Sequence, residues 1–401
     1  MKPETISTIE VLITTVVRFW PVWIALGVSL TGGYFIRERM GTFGRLYGSP
    51  IGLAGLAIVL FWVFTACFAH LIAVMPPLDQ SFTGGMKKAA IGTIDPESGI
   101  LFLWGADNLA RDIFSRVVYG SQIVLIIAPA ATLIAYMVGS TLGLPAGYYT
   151  GWIDTVMSFI ANLVLAFPVI LLFYLLVTPE VRNPVFYDFS LFQVPWSIPI
   201  AMAAVFFLFP IIFICMMWWT KYEKDKSRLT TYMAITLVIG FWFYIGLVFQ
   251  SPVNPIFQLD PNELNVFAAV VFASSPGVFR IVRGLTLDIK TRDYVAAAQT
   301  RGERPWYIML WEILPNARGP LIVDFCLRIG YTTILLGTLG FFGLGLQPES
   351  PDWGSMINHG RSFVRLTSTI HLAIFPALAL MSLVLGLNLL ADGLREESLK
   401  D

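Results

Sequence analysis

SQIVLIIAPAATLIAYMVGSTLGLPA, residues 121–146, carries no Asp, Glu, Lys, Arg or His. A helix of about 20 residues crosses a hydrocarbon layer of roughly 30 Å, so this stretch is long enough to span a membrane. Lipid offers no water to backbone N–H and C=O groups, and a run this long has one state that pairs them all internally, a helix. Outward from it, comparably apolar runs occupy 51–75, 155–177, 196–219, 229–250, 319–342 and 370–391. A shorter run lies at 264–281, and 11–35 is interrupted by Arg18. Pro129, Pro168, Pro210 and Pro376 fall inside these runs and predict kinks.

Composition agrees. Of the 401 residues 56% are hydrophobic and 13% charged, and the mean hydropathy is +0.73. The 26 basic and 26 acidic side chains cancel, so no global field attracts nucleic acid. Cys67, Cys215 and Cys326 each sit in an apolar run without CxxC spacing and read as small buried hydrophobes. Arg18 interrupts the first apolar stretch and no small-x-small cleavage site follows, so the spans themselves are expected to direct insertion.

Basic residues in short loops set orientation. Arg280, Arg283, Lys290, Arg292, Arg301, Arg304 and Arg318 gather in 280–318, which is therefore expected in the cytoplasm. Counting spans from it places 147–154, 220–228 and the C-terminal tail inside, with 76–120, 178–195, 251–263 and 343–369 outside. Lys221, Lys224, Lys226 and Arg228 agree with that count, and Arg37, Arg39 and Arg45 put 36–50 inside. If 11–35 spans, the N-terminus is outside. Trp196, Trp218 and Trp219 read as interfacial anchors, and 107–119 as a short helix lying near an interface.

The loop 291–318, TRDYVAAAQTRGERPWYIMLWEILPNAR, reads as two short helices. Tyr294, Ala297, Ala298 and Arg301 recur at helical spacing, Gly302 ends the turn, and Pro305 opens the next stretch. Small alanines allow a partner surface close to the backbone, and glycine tolerates positive φ.

This loop resembles the coupling motif of the membrane subunits of type I ATP-binding-cassette (ABC) importers: Glu-Ala-Ala, a spaced Gly, then Leu-Pro. Here the matching residues are Ala296, Ala297, Ala298, Gly302, Leu314 and Pro315. The Glu position is Ala296, an apolar position is Glu312, and Asp293, three residues before Ala296 on the same helical face, is the candidate to supply the missing charge. Further stretches are similar to the second membrane subunit of dipeptide and oligopeptide importers. They are GADNLARDIFSRVVYGS at 105–121, GLPAGYYTGWID at 143–154, LAFP at 165–168, FFGLGLQPESPDWGSMI at 341–357 and NLLADGLRE at 388–396. Two positions depart: the usual Gly-Arg-Asp is Ala110-Arg111-Asp112, and a Glu often found before the Gly-rich stretch is Leu336.

The resemblance implies an all-α integral membrane protein of the type I ABC importer transmembrane class, with six core helices, two inserted helices and one extra N-terminal helix. Four segments follow: 1–50 with the extra span and a basic linker, 51–177 with three core helices, the insertion 178–263, and 264–401 with the last three core helices and the coupling loop. It implies an ATPase-coupling surface of Asp293, Ala296, Ala297, Ala298, Arg301, Gly302, Glu303, Pro305 and Pro315. The implied partners are a homologous permease, two ABC ATPases carrying ATP and Mg²⁺, an extracytoplasmic solute-binding protein and lipid, in a bacterial inner membrane.

Asp324 and Arg328 stand four residues apart in a span where charge is costly. They read as an ion pair or, with Ser274 and Ser275, as lining of a translocation path; Ser274, Ser275 and Pro276 interrupt the short span in this reading. His70, His359 and His371 are scattered near span ends as interface residues, with no HExxH spacing for a metal. No GxxxxGK[ST] is present, so the chain is read as non-enzymatic. The alternative is an ion-coupled secondary transporter working without an ATPase, which calls for paired broken helices and intramembrane carboxylates.

Overall fold

The structure, a computed structural model, describes all residues except 1–3, 40, 81–85, 178–184, 190–191, 250–260, 345, 347–348, 362–368 and 399–401. Much of the expected outer loops 178–195, 251–263 and 343–369 therefore lies outside the described residues, as does the Trp196 side chain. In chain order the principal helices are α1 (Thr8–Arg18), α2 (Trp20–Phe35), α3 (Pro50–Cys67), α4 (Ile113–Tyr149), α5 (Trp152–Ala166), α6 (Val169–Val177) and α7 (Ile198–Tyr222). They continue as α8 (Lys226–Phe249), α9 (Pro261–Ile289), α10 (Asp293–Thr300), α11 (Arg318–Phe341), α12 (Trp353–Arg361) and α13 (His371–Ser398). Among the described residues, seven helices are long and apolar enough to cross a membrane, and up to nine spans result if each of two bent pairs counts as one.

The bent pairs revise two expected runs. Residues 155–177 break at Phe167–Pro168, where α5 and α6 meet at 81°. Pro168 has no N–H to donate and forces Phe167 into extended backbone at ψ 131°. Residues 11–35 break at Phe19 by 52°, with Pro21 in the first turn of α2. Conversely, α4, α7 and α13 run on through Pro129, Pro210 and Pro376. The run expected to be short, 264–281, is part of the long helix α9, which Ser274, Ser275 and Pro276 do not interrupt. Its polar flanks hid its length.

The chain divides into two compact units, Met1–Pro129 with Cys326–Asp401, and Ala130–Phe325. In the first, α3 and α13 approach until their backbones touch. A side chain at Gly55 would overlap the Leu390 and Leu389 backbone, and one at Gly393 would overlap Gly52. Small residues permit this contact, which in lipid replaces hydrophobic burial as the source of helix association. Trp62 on α3 donates to Ser382 Oγ on α13 at 2.9 Å. A small antiparallel sheet, β1 (Glu4–Thr5), β2 (Thr93–Ile94) and β3 (Leu101–Phe102), joins the N-terminus to the loop before α4.

That loop corrects the expected interfacial helix at 107–119. Asp107 Oδ1 accepts from the backbone N–H groups of Leu109 and Arg111 at 2.8 and 2.9 Å, folding 107–111 into a turn that leaves Ala110 at φ +63°. This is left-handed backbone, for which glycine is the natural choice, and it accounts for the family's usual Gly at this position. Helix α4 then starts at Ile113, capped by Asp112, whose Oδ2 accepts from Ser115 N–H at 2.7 Å. Arg116 is buried and donates to the carbonyls of Pro77, Glu349 and Ser350 at 3.0, 3.2 and 3.0 Å. Trp353 is equally buried and donates to Val117 O at 2.9 Å. Of the cysteines, Cys326 is buried, Cys215 half-buried and Cys67 exposed, on an apolar helix surface that in a bilayer meets lipid. His371 is buried rather than interfacial, its Nε2 3.1 Å from Ala89 O.

In the second unit, α9 packs against α5, α6 and α7, and α7 pairs with α8. A β-hairpin, β4 (Val185–Phe189) with β5 (Phe192–Trp196), precedes α7. Trp218 turns inward, stacking on Tyr232 and Tyr222, while Trp219 stays exposed.

Two outcomes test this description. Gly55→Leu forces apart backbones already in contact; overpacking of this kind costs about 1–3 kcal/mol or more, and the yield of monodisperse chain after mild extraction is expected to fall several-fold. Normal yield and thermal stability would contradict the contact. Burial pushes the Asp112 carboxyl up to about 6. A carboxyl whose folded pKa is raised binds its proton more tightly folded than unfolded, so stability rises as pH falls through about 6 and falls as pH rises. Asp112→Asn keeps a capping oxygen and is expected to reduce the gain in melting temperature seen between pH 7 and pH 5.5, at no cost at pH 7; an unaltered pH profile would exclude this carboxyl as its source.

Candidate coupling surface

Helix α10 is only eight residues long, too short to persist alone in water. Its inner face holds it. Val295 and Ala298 are fully buried in a cluster with Leu144 of α4, Val278, Val282 and Ile289 of α9, and Ile308, Met309 and Ile313 of the following segment. Burying a valine of this kind contributes about 1.5–3 kcal/mol. Asp293, Tyr294, Ala296 and Ala297 make up the exposed face. Ala298, assigned to the outward surface from its motif position, therefore points inward; the three-alanine run straddles the helix because consecutive residues are rotated by about 100°.

The helix ends in a Schellman motif. Gly302 N–H donates to Gln299 O at 2.9 Å and Glu303 N–H to Ala298 O at 3.2 Å, with Gly302 at φ +77°. A side chain at Gly302 would meet no atom within 4 Å, so conformation rather than space requires glycine there. Arg304 is extended ahead of Pro305, and helical structure resumes as Pro305–Tyr307, a π-helical turn Ile308–Ile313, and Leu314–Asn316. The π turn precedes Pro315, which has no N–H for the Trp311 carbonyl, and the Asn316 Nδ2 donates to the next carbonyl, Glu312 O, at 2.6 Å.

Charged groups pin the loop. Arg301 Nη2 donates to Glu312 Oε1 at 3.0 Å, across the bend at Gly302, so the residue that breaks the motif's apolar position is the ionic partner of Arg301. Lys290 Nζ caps the end of α4 at Gly147 O and Tyr148 O, 2.9 and 3.3 Å away. Gln299 Nε2 donates to Tyr148 Oη at 3.2 Å. Asp288 pairs with Arg292 and holds its guanidinium above the usual range. Asp154 on α5 pairs bidentately with Arg283 on α9. Helix α7 and the turn after it also reach this site: Arg304 pairs with Glu223, and Trp311 Nε1 donates to Thr220 Oγ1 at 3.0 Å.

Asp324 and Arg328 are half-buried on α11, and Asp324 accepts a hydrogen bond from the Tyr136 hydroxyl on α4. Ser275 is buried; its hydroxyl donates to Val271 O at 2.6 Å within α9, and it lines an apolar cavity of about 120 Å³ with Val138, Met157 and Phe279. Ser274 is half-buried. Of the residues missed from sequence, Glu312 had a signal, its opposite charge to Arg301 across a glycine bend. Tyr148, Asp154 and Glu223 had none, since each meets its partner through tertiary contact.

Residues 226–396 match the family model of the binding-protein-dependent transport system inner membrane component. Similar proteins include the glutathione transport system permease protein GsiD of Pectobacterium atrosepticum, 32% identical over 292 residues, which are 73% of this chain and 70% of that protein. GsiD of Escherichia coli O6:K15:H31 is 32% identical over 293 residues, with the same shares covered. The dipeptide transport system permease protein DppC of Alkalihalophilus pseudofirmus is 27% identical over 354 residues, 88% of this chain and 87% of that protein. A multi-span helical chain carrying this loop, with relatives of this identity and coverage, belongs to the family of inner-membrane permease components of binding-protein-dependent transport systems.

Proposed function

We propose that this chain is one of two membrane-spanning subunits of an ATP-driven importer in a bacterial inner membrane, contributing half of the path for peptides or similar small solutes. A homologous permease completes the path, two ABC ATPases bind ATP and Mg²⁺ on the cytoplasmic side, and an extracytoplasmic solute-binding protein delivers cargo. The relatives, a glutathione transport system permease and a dipeptide transport system permease, support that class of cargo.

One observation carries the ATPase assignment. Helix α10 is two-faced, with Asp293, Ala296 and Ala297 outward and Val295 and Ala298 in one cluster with α4 and α9. Force applied to the outer face by a partner passes directly into helices long enough to span the membrane, because a packed cluster transmits displacement rather than absorbing it. Arg301–Glu312 and the Schellman turn keep the loop from folding away under that load. ATP-driven closure of the partners would thereby shift the paired permeases between inward-facing and outward-facing states.

Ala297→Arg alters only an exposed helix position, where substitutions cost within about 0.5 kcal/mol, and is expected to leave chain yield intact while reducing co-purified ATPase about ten-fold. Undiminished ATPase recovery, or transport driven by an ion gradient without ATP, would overturn the docking role. Glu312→Arg is expected to slow ATP-driven uptake, and the swap Arg301→Glu with Glu312→Arg to restore most of it. Because the pair is partly exposed its static contribution is about 1 kcal/mol or less, so an equal loss in both variants would place the effect outside the pair.

A further inference from the structure

The inserted helices α7 and α8 end in a feature that the importer reading does not use. Where α7 leaves the apolar layer, the segment Trp219–Lys224 and the loop residues Glu303–Tyr307 enclose a cavity of about 330 Å³. Its charged lining is Lys221, Lys224 and Arg304 against Glu223 and Glu303, three cations to two carboxylates and so a net single positive charge. Arg304 and Glu223 pair with each other, and Lys221 lies 5.0 Å above the Trp311 ring. Lys221 and Lys224 supply the unbalanced charge.

A second cavity, of about 410 Å³, runs along the same helix pair towards the middle of the apolar layer. It is lined wholly by apolar and sulfur-bearing side chains, among them Ile212, Cys215 and Met216 of α7 with Met233 and Leu237 of α8. Trp219 belongs to both cavities. Very little of either helix is buried within the chain, so this groove opens on its outer surface. A cationic cup that shares one indole wall, Trp219, with a wholly apolar groove has the two-part chemistry of a phosphoglyceride.

We infer that this chain binds one singly charged anionic phospholipid, its phosphate between Lys221, Lys224 and Arg304 and an acyl chain in the α7–α8 groove. The single negative charge of such a lipid balances the cup, whereas a zwitterionic head group would leave it positive. Because Arg304 and Glu303 adjoin the bend at Gly302, the bound lipid tethers the insertion to the loop, and this holds whether or not the loop docks an ATPase.

The test is native mass spectrometry of the full-length chain, extracted with whatever subunits accompany it and exposed to phosphatidylglycerol, phosphatidylethanolamine or phosphatidylcholine in detergent. Phosphatidylglycerol is expected to survive activation that strips the other two. Lys221→Gln with Lys224→Gln should lower its retention about ten-fold, Lys221→Arg with Lys224→Arg should preserve it, and Leu237→Trp, which fills the groove, should lower it comparably. Equal retention of phosphatidylethanolamine, or phosphatidylglycerol retention untouched by the glutamine pair, overturns the proposal. Displacement of phosphatidylglycerol by millimolar inorganic phosphate with no effect of Leu237→Trp also overturns it, and identifies a free-phosphate site instead.

Discussion

Everything in this chain answers to one constraint: a backbone N–H or C=O removed from water must find a partner within the protein. Over the long helices the chain meets it by itself. The informative places are where helices start, stop or bend, because there a side chain must take over. Asp107 takes the N–H groups of a turn, Asp112 and Asp352 cap the starts of α4 and α12, Lys290 takes the last carbonyls of α4, and Arg116 takes three loop carbonyls at once. Charged residues are scarce here, and a notable part of them is spent on backbone rather than on one another.

The same rule explains the character of the coupling surface. Its helix is too short to be stable on intrinsic grounds and survives because half of its surface belongs to the cluster that also holds α4 and α9. The turn that follows satisfies its carbonyls with two backbone donors and needs only a residue that tolerates positive φ. A surface built this way is rigid with respect to the spans beneath it and bare on its outer side, which is what transmission of force from a partner requires.

Helix α7, which reads in sequence as one of two spans added to a core, is continuous with that surface. Thr220 and Glu223 reach Trp311 and Arg304, and Phe213, Met216 and Met217 pack against the loop's own cluster. Two residues that depart from the resembled motifs sit in defined local settings. Glu312 replaces an apolar residue and pairs with Arg301, and Ala110 occupies left-handed backbone that glycine would adopt without strain.

The sequence by itself determined the helical, membrane-spanning class, the existence of nearly every span and the family, because these rest on local properties: apolar run length, and a glycine and prolines at set spacing. It misjudged the length of α9 and the turn at 107–111, where run length and periodicity are ambiguous and only a cap decides, whereas the kink expected at Pro168 is the 81° bend between α5 and α6. Tertiary structure alone decided which of Ala296, Ala297 and Ala298 face outward, and that Asp154 meets Arg283 and Glu223 meets Arg304. Those facts depend on which surfaces are brought together by packing between segments far apart in the chain, and no local spacing encodes that.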